Sequence, residues 1–533
     1  MARYKHYDYG QTKMLPVSYE RQILPGTFEH TLNELIDREI DLTVFESRYR
    51  NDATGAPAYD PAILLKIVLF AYSKGITSSR EIEKLCRENV LFMALSADTQ
   101  PHFTTIADFI SGSAEPIAQV FRDVLLVCDE AGLIGKQMFA IDGVKLPSNA
   151  SKEWSGTQAE YSKKIEKMER ATQKLLARHR EVDALQAEGE VPAMQAAREQ
   201  QIKTLEAAIV KVRGFLRRHQ DKTGPSGRVK KSNITDNESA KMLSSKGVIQ
   251  GYDGLALVDA KHQIVVHAEA FGEGQEHGLL VPMLEGTRQT FRALDLSNDV
   301  LKNRIVTADA GFCSEANSRY LLEGGIDAYV ADPQFRRRDV RFADAPQHRP
   351  QRASEPFAKP KKPQRFRPRD FQPAKDFSHC ICPAGKRLHR NGAHVRLRDR
   401  WGVKFSGSKI TCQHCPLRAQ CLRDPHRTPV RQVTILRGRE RTKAPNYSQT
   451  MRERIDSERG RHLYGRRLAI VEPVFANIRS TRKLNRLSLR GRKKVNAQWQ
   501  LYCLVHNIGK LQRYGPSSKL PGAMQRRINR CDG

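Results

Sequence analysis

Between Met138 and Pro333, short apolar runs alternate with helically spaced segments in a single order, and that order restricts the chain to a mixed α/β core. MFAIDGVKL reads as a strand starting near Gln137, with Asp142 at its polar end. GLALVDA and QIVVHAEA read as a β-hairpin from about Tyr252 to Ala270. A helix from about Gly278 to Ala293, the strand RIVTADAGF ending at Asp309, the helix SEANSRYLLEGG and the strand DAYVADP complete the series over 137–333. Set into it, residues 157–222 are charged and helix-favouring with apolar residues three and four apart, which predicts an inserted helical hairpin.

The flanks differ in kind. Residues 1–130 carry helical spacing, as in PAILLKIVLFAYSKG, and Ser78 and Ser79 precede Glu81 and Glu83 as a helix cap would. This predicts an all-helical N-terminal domain, a helix pair for DNA binding or a bundle for dimerisation. Residues 334–375 are rich in Arg, Lys and Pro and poor in aliphatics, which predicts a mobile basic linker. A cysteine-rich segment follows over 376–430, helical spacing returns over 445–514, and 515–533 reads as a disordered tail.

The chain has 90 Lys and Arg against 59 Asp and Glu, a formal net charge of +31, which favours a polyanionic partner, nucleic acid foremost. The best membrane candidate, Ile63 to Tyr72, is short and carries Lys66, so a core helix is expected and no membrane association. MARYKHYDYGQTK lacks the apolar stretch of a secretory leader, so an intracellular, reducing compartment is expected, the cytoplasm by default. Cysteines in that reducing compartment need a role other than disulfides. Cys382 in CPAG, then Cys412, Cys415 and Cys421 at x2 and x5 spacing, form a thiolate set suited to structural Zn2+. The first ligand stays open, because Cys380, His379 or His414 can replace Cys382.

Asp142 and Asp309 each end an apolar strand before a small residue, and a buried carboxylate is costly unless paired or metal-bound. Glu472 sits among Ala469, Ile470, Val471, Val474 and Phe475 in LYGRRLAIVEPVFANIR, an acid on an expected core-facing helical stripe. Three carboxylates from two strands and a helix are what in-line phosphoryl transfer with two Mg2+ (or Mn2+) ions requires. Asp236 and Asp332 are competing acids, read as turn or cap residues.

AIDGVKLPSNAS, NITDNESAKM, TADAGFCSE and YGRRLAIVEPVFANIR occur in the order found in bacterial insertion-sequence DDE transposases, and the chain resembles that family from about residue 20 to 510. The resemblance implies a ribonuclease H-like catalytic core with Asp142, Asp309 and Glu472 as metal ligands. It also implies a cysteine knuckle between the second Asp and the Glu. Tyr464, Arg467 and Arg479 match the Tyr, Arg and Lys/Arg flanking the final Glu, which implies contacts with DNA. Arg479 replaces the more usual Lys, and the Arg467-to-Glu472 spacing is one residue longer than the broader signature. The activity implied is cleavage at transposon ends and joining of the 3'-hydroxyl to target DNA, by a homo-oligomer that handles two ends together. A related nuclease and a domesticated DNA-binding protein are the alternatives, and a tyrosine recombinase would need Tyr464 inside an Arg-His-Arg surround.

Overall fold

The computed structural model describes residues 10, 16–49, 57–184, 192–224, 227, 229–244, 247–342, 365–397, 400–439 and 446–516. They fall into two compact units, Met1–Arg338 with Tyr447–Gly533, and Asp339–Asn446. No helix among the described residues is long and apolar enough to cross a membrane.

In the first unit, helices α1 (Phe28–Arg38), α2 (Pro61–Ser73), α3 (Ser79–Glu88), α4 (Val90–Leu95), α5 (Phe103–Gly112) and α6 (Ala114–Glu130) precede the sheet. α2 starts where Pro61 fixes the first turn and the Asp60 side chain accepts from the Ala62 amide. It is buried from Leu64 to Ser73, and Lys66 there pairs with Asp37 at 2.6 Å. Ser78 caps α3 by accepting from the Glu81 amide. These helices share one apolar core with the sheet, in which Leu65, Phe70 and Val124 belong with Ile141 and Leu257.

The sheet has six strands: β1 (Met138–Pro147), β2 (Ala240–Ser244), β3 (Gly247–Asp259), β4 (Val265–Phe271), β5 (Ile305–Ala308) and β6 (Asp327–Val330). Their order is β6-β5-β1-β3, with β4 and β2 pairing with β3. β1, β3 and β4 are antiparallel neighbours, whereas β1, β5 and β6 are parallel. Parallel pairing requires crossovers, supplied by α9 (Leu280–Ala293) and α10 (Glu315–Glu323). This mixed topology is consistent with a ribonuclease H-like core. Between β1 and β2, α7 (Gln158–Ala184) and α8 (Pro192–Arg218) pack through Tyr161, Ile165, Ile209, Val212 and Phe215; residues 185–191 lie outside the described residues.

α11 (Tyr447–Asp456), α12 (Glu458–Ala476) and α13 (Arg492–Tyr514) complete the unit. α13 is buried through most of its length and closes the outer edge of β4 with side chains in place of a strand. Asn507 accepts from the Val265 amide and donates to its carbonyl, both at 2.9 Å, and Asn496 accepts from the Ala270 amide at 2.9 Å. Trp499 donates to the Leu255 carbonyl at 2.9 Å.

The second unit is an antiparallel sheet in the order β7 (Gln372–Pro373), β8 (His379–Ile381), β9 (Arg387–Leu397), β10 (Arg400–Ser406) and β11 (Gln432–Arg439). Its core is small: Phe371, Cys380, Leu388, Val403, Phe405 and Val433. Two expectations are corrected here. The linker expected over 334–375 has its residues 343–364 outside the described residues, but Phe371 and β7 already belong to this sheet. The cysteine segment expected to stop at 430 continues into β11, because β10 needs a partner on its second edge. Residues 517–533 of the expected tail lie outside the described residues.

Candidate active site and cysteine cluster

Asp142 lies in the middle of β1 and not at its end, because pairing with β3 runs on to Pro147. On the other edge Ile141 is level with Ala308, so Asp309, the first residue beyond β5, arrives beside Asp142. Parallel neighbours in register thus bring the two acids together across 167 residues of chain. Asp142 Oδ1 accepts from the Gly143 amide at 2.8 Å, and Asp309 Oδ1 accepts from the Gly311 amide at 2.9 Å. Asp142 Oδ2 accepts from Arg467 Nη1 at 2.8 Å. Burial pushes the Asp142 carboxyl above its ordinary range, opposed by Arg467 and the Gly143 amide and reinforced by Asp309.

Arg467, expected to contact DNA, is a buried residue of α12 with 8% of its surface exposed, and its Nε has no hydrogen-bond partner among the described residues. Burial works against its charge, but Asp142, Tyr464 and Asp309 raise its pKa overall. Tyr464 packs edge-on to Phe335 at 5.0 Å; burial raises its hydroxyl pKa, as does Asp309, while Arg467 lowers it. The expected core-facing position of Glu472 is corrected. Ile470, Val471, Val474 and Ile478 form the buried stripe with Arg467, and Glu472 is exposed, with no hydrogen bond or ion pair among the described residues. Arg479 is exposed on the π-turn Asn477–Thr481 and lines an open groove with Lys145, Glu276 and Asn485.

The competing acids are committed elsewhere. Both Asp236 oxygens accept from the Tyr252 hydroxyl, at 2.8 and 2.9 Å. Asp332 is held by Arg338 and caps the Gln334 amide, and Arg338 keeps its carboxyl below the usual range.

Sequence reading missed Asp253, Glu276 and Lys145. Asp253 is level with Lys145 across β1 and β3, and Lys145 Nζ is 3.2 Å from Glu276 Oε1. Asp253 is fully buried and neither carboxylate oxygen accepts a hydrogen bond. Burial foremost, then Glu276, push its carboxyl up to about 8. The signal was present in GYDGLALVDA, an acid inside an apolar strand. Because folded Asp253 holds a proton that the unfolded chain gives up near pH 4, its contribution to stability falls as pH rises from about 4 to 8. In magnesium-free buffer, Asp253→Asn is therefore expected to reduce the drop in melting temperature between pH 5 and pH 8.5. Identical drops in both proteins would show that the buried proton is not on Asp253.

In the second unit, Cys382, Cys412, Cys415 and Cys421 line one cavity of about 40 Å³. β8 ends at Ile381, and Cys382 begins a turn closed by the Gly385 amide donating to the Cys382 carbonyl at 2.8 Å. Cys412 occupies the turn Lys409–Gln413, and a Cβ on Gly407 would collide with its Sγ. Burial foremost raises the Cys421 thiol pKa; Arg431 opposes this, and Cys412, Cys382 and Cys415 add to it. Arg418 ties the segment together by donating to the carbonyls of Cys412, Pro425, Thr428 and Pro429. Of the alternative ligands, Cys380 points into the sheet core, His379 meets Ser378 at 2.9 Å, and His414 does not line the cavity.

Among the described residues, no three His, Cys, Asp or Glu side chains are drawn up at the separations of a metal-ligand set. What fits at each place is the donor chemistry. Buried oxygen donors with an unpaired Asp253 suit a hard divalent cation, and four thiols around one small cavity suit zinc.

Strand-borne aspartates meeting at the centre of a mixed sheet define a class of nucleic-acid phosphoryl-transfer proteins, and comparison with known families agrees. Residues 381–512 match the model of a transposase DDE domain, and residues 17–112 match that of a transposase domain. The two matches support an insertion-sequence DDE transposase. No curated protein matches it.

Proposed function

We propose that the chain cuts double-stranded DNA at the ends of a mobile element and joins the freed 3'-hydroxyl to target DNA, with Mg2+ or Mn2+ held by Asp142, Asp309 and, as the resemblance implies, Glu472. The observation that carries this reading is the register that seats Asp309 beside Asp142. A bound divalent ion would supply Lewis acidity toward phosphate and activation of water. Arg467 holds one Asp142 oxygen and leaves its buried Nε free for a phosphate oxygen. Lys145 and Arg479 line the groove and draw the DNA backbone toward it. Tyr464, wedged against Phe335, fixes the side of the site next to Asp309. The four cysteines hold a structural Zn2+, and the working form on the nucleoid is a homo-oligomer that engages two ends.

With DNA carrying the element's own ends, Asp309→Asn is expected to lower both cleavage and strand transfer at least about a thousandfold while leaving DNA binding intact. Cleavage at the normal rate would overturn the catalytic assignment. Cleavage by the unaltered protein without any joined product would favour a nuclease.

A further inference from the structure

We propose that Glu276 is a further carboxylate of the cation site at Asp142 and Asp309, reaching it from the face of the sheet opposite Arg467; this rests on the metal-dependent reading above. Successive residues of a strand point to opposite faces. Asp142 faces α12 and meets Arg467, whereas Gly143 and Lys145 share the other face with Asp253. Glu276 lies on that second face, in the turn Glu276–Gly278 that leads into α9.

Two glycines open the space between these acids. A Cβ on Gly311 would collide with Glu276 Oε2 and lie 3.0 Å from Asp309 Oδ1, so these two oxygens flank one small gap. A Cβ on Gly143 would lie 2.9 Å from Asp253 Oδ1. Glu276 Oε1 lies 3.2 Å from Lys145 Nζ, while Oε2 lies on the Gly311 side beside Asp309 Oδ1. Behind them the fully buried Asp253 accepts no hydrogen bond among the described residues.

Among the described residues, Asp142, Glu276 and Asp309 thus share two cations, Arg467 on Asp142 and Lys145 on Glu276. Like charges assembled away from water are costly unless a counter-ion offsets them. Glu276 Oε2 and Asp309 Oδ1, the latter also accepting from the Gly311 amide, mark where it fits, and their oxygen chemistry selects a divalent cation such as Mn2+ or Mg2+.

The test is Mn2+ binding to the full chain, followed by electron paramagnetic resonance. Glu276→Gln is expected to weaken binding about tenfold or more, as Asp309→Asn does. Glu273→Gln, an exposed acid 3.9 Å from Lys230, should leave it unchanged. Lys145→Met removes the competitor for Glu276 and should tighten binding, which keeps the idea testable should Glu276→Gln fold poorly. If Asp309→Asn weakens binding and Glu276→Gln does not, or if Lys145→Met weakens it, Glu276 is not a ligand and the metal-dependent reading stands. If neither Asp309→Asn nor Asp142→Asn weakens it, that reading itself falls.

Discussion

Replacing Arg467 by Met is expected to lower the melting temperature by about 10 °C in buffer free of divalent cations, and millimolar Mn2+ is expected to restore much of the loss. The guanidinium is the cation facing Asp142 Oδ2, and both partners are largely buried. Removing one member of such a pair leaves an uncompensated charge, typically at a cost of roughly 3–5 kcal/mol. A divalent ion can then supply the missing positive charge, so Mn2+ should stabilise Arg467→Met more than the unaltered protein, where Arg467 already neutralises Asp142. Adding Asp142→Asn to Arg467→Met should recover stability without metal and abolish the extra Mn2+ response. Equal Mn2+ stabilisation of the unaltered protein and Arg467→Met would show that Arg467 and the metal do not share Asp142.

Cys412→Ser is expected to release zinc and to unravel the second unit while the first stays folded. Among the described residues, the buried cluster of the second unit has six side chains, too little apolar surface to hold a sheet of its length without a staple. Structural zinc contributes on the order of 10 kcal/mol to folding in small domains. Amide exchange over β8 to β11 should accelerate by several orders of magnitude, with little change in β1, β3 and β5. Zinc content by mass spectrometry in native conditions should fall from one ion per chain to none. Full zinc occupancy in both Cys412→Ser and Cys421→Ser would rule out the cysteine set.

The order of strands and helices was legible because apolar periodicity follows burial directly, and Asp142 and Asp309 stood out as acids against apolar strands. The phase of α12 was harder. Apolar letters surround Glu472 on both sides, but Arg467, Ile470, Val471, Val474 and Ile478 repeat at three- and four-residue steps. A residue five positions after Arg467 is turned by about 140° from it, which puts Glu472 on the solvent side. Asp253 and Glu276 were hidden for a different reason. Nothing in a strand's own letters tells which neighbour lies across from it, and only the β1–β3 register sets Asp253 opposite Lys145. The four cysteines were readable from spacing, but the choice of Cys382 over Cys380 required knowing where β8 ends.

The edge of β4 is completed by Asn496 and Asn507, and Asn507 is made 242 residues after the Val265 backbone it satisfies. A ribosome must therefore pass Asn507 before this sheet loses its open edge. Nascent or prematurely terminated chains carry bare strand donors and acceptors that invite association with one another. Translation through α13 is thus a gate on solubility, and fragments lacking α13 should accumulate as aggregates and not as partial enzymes.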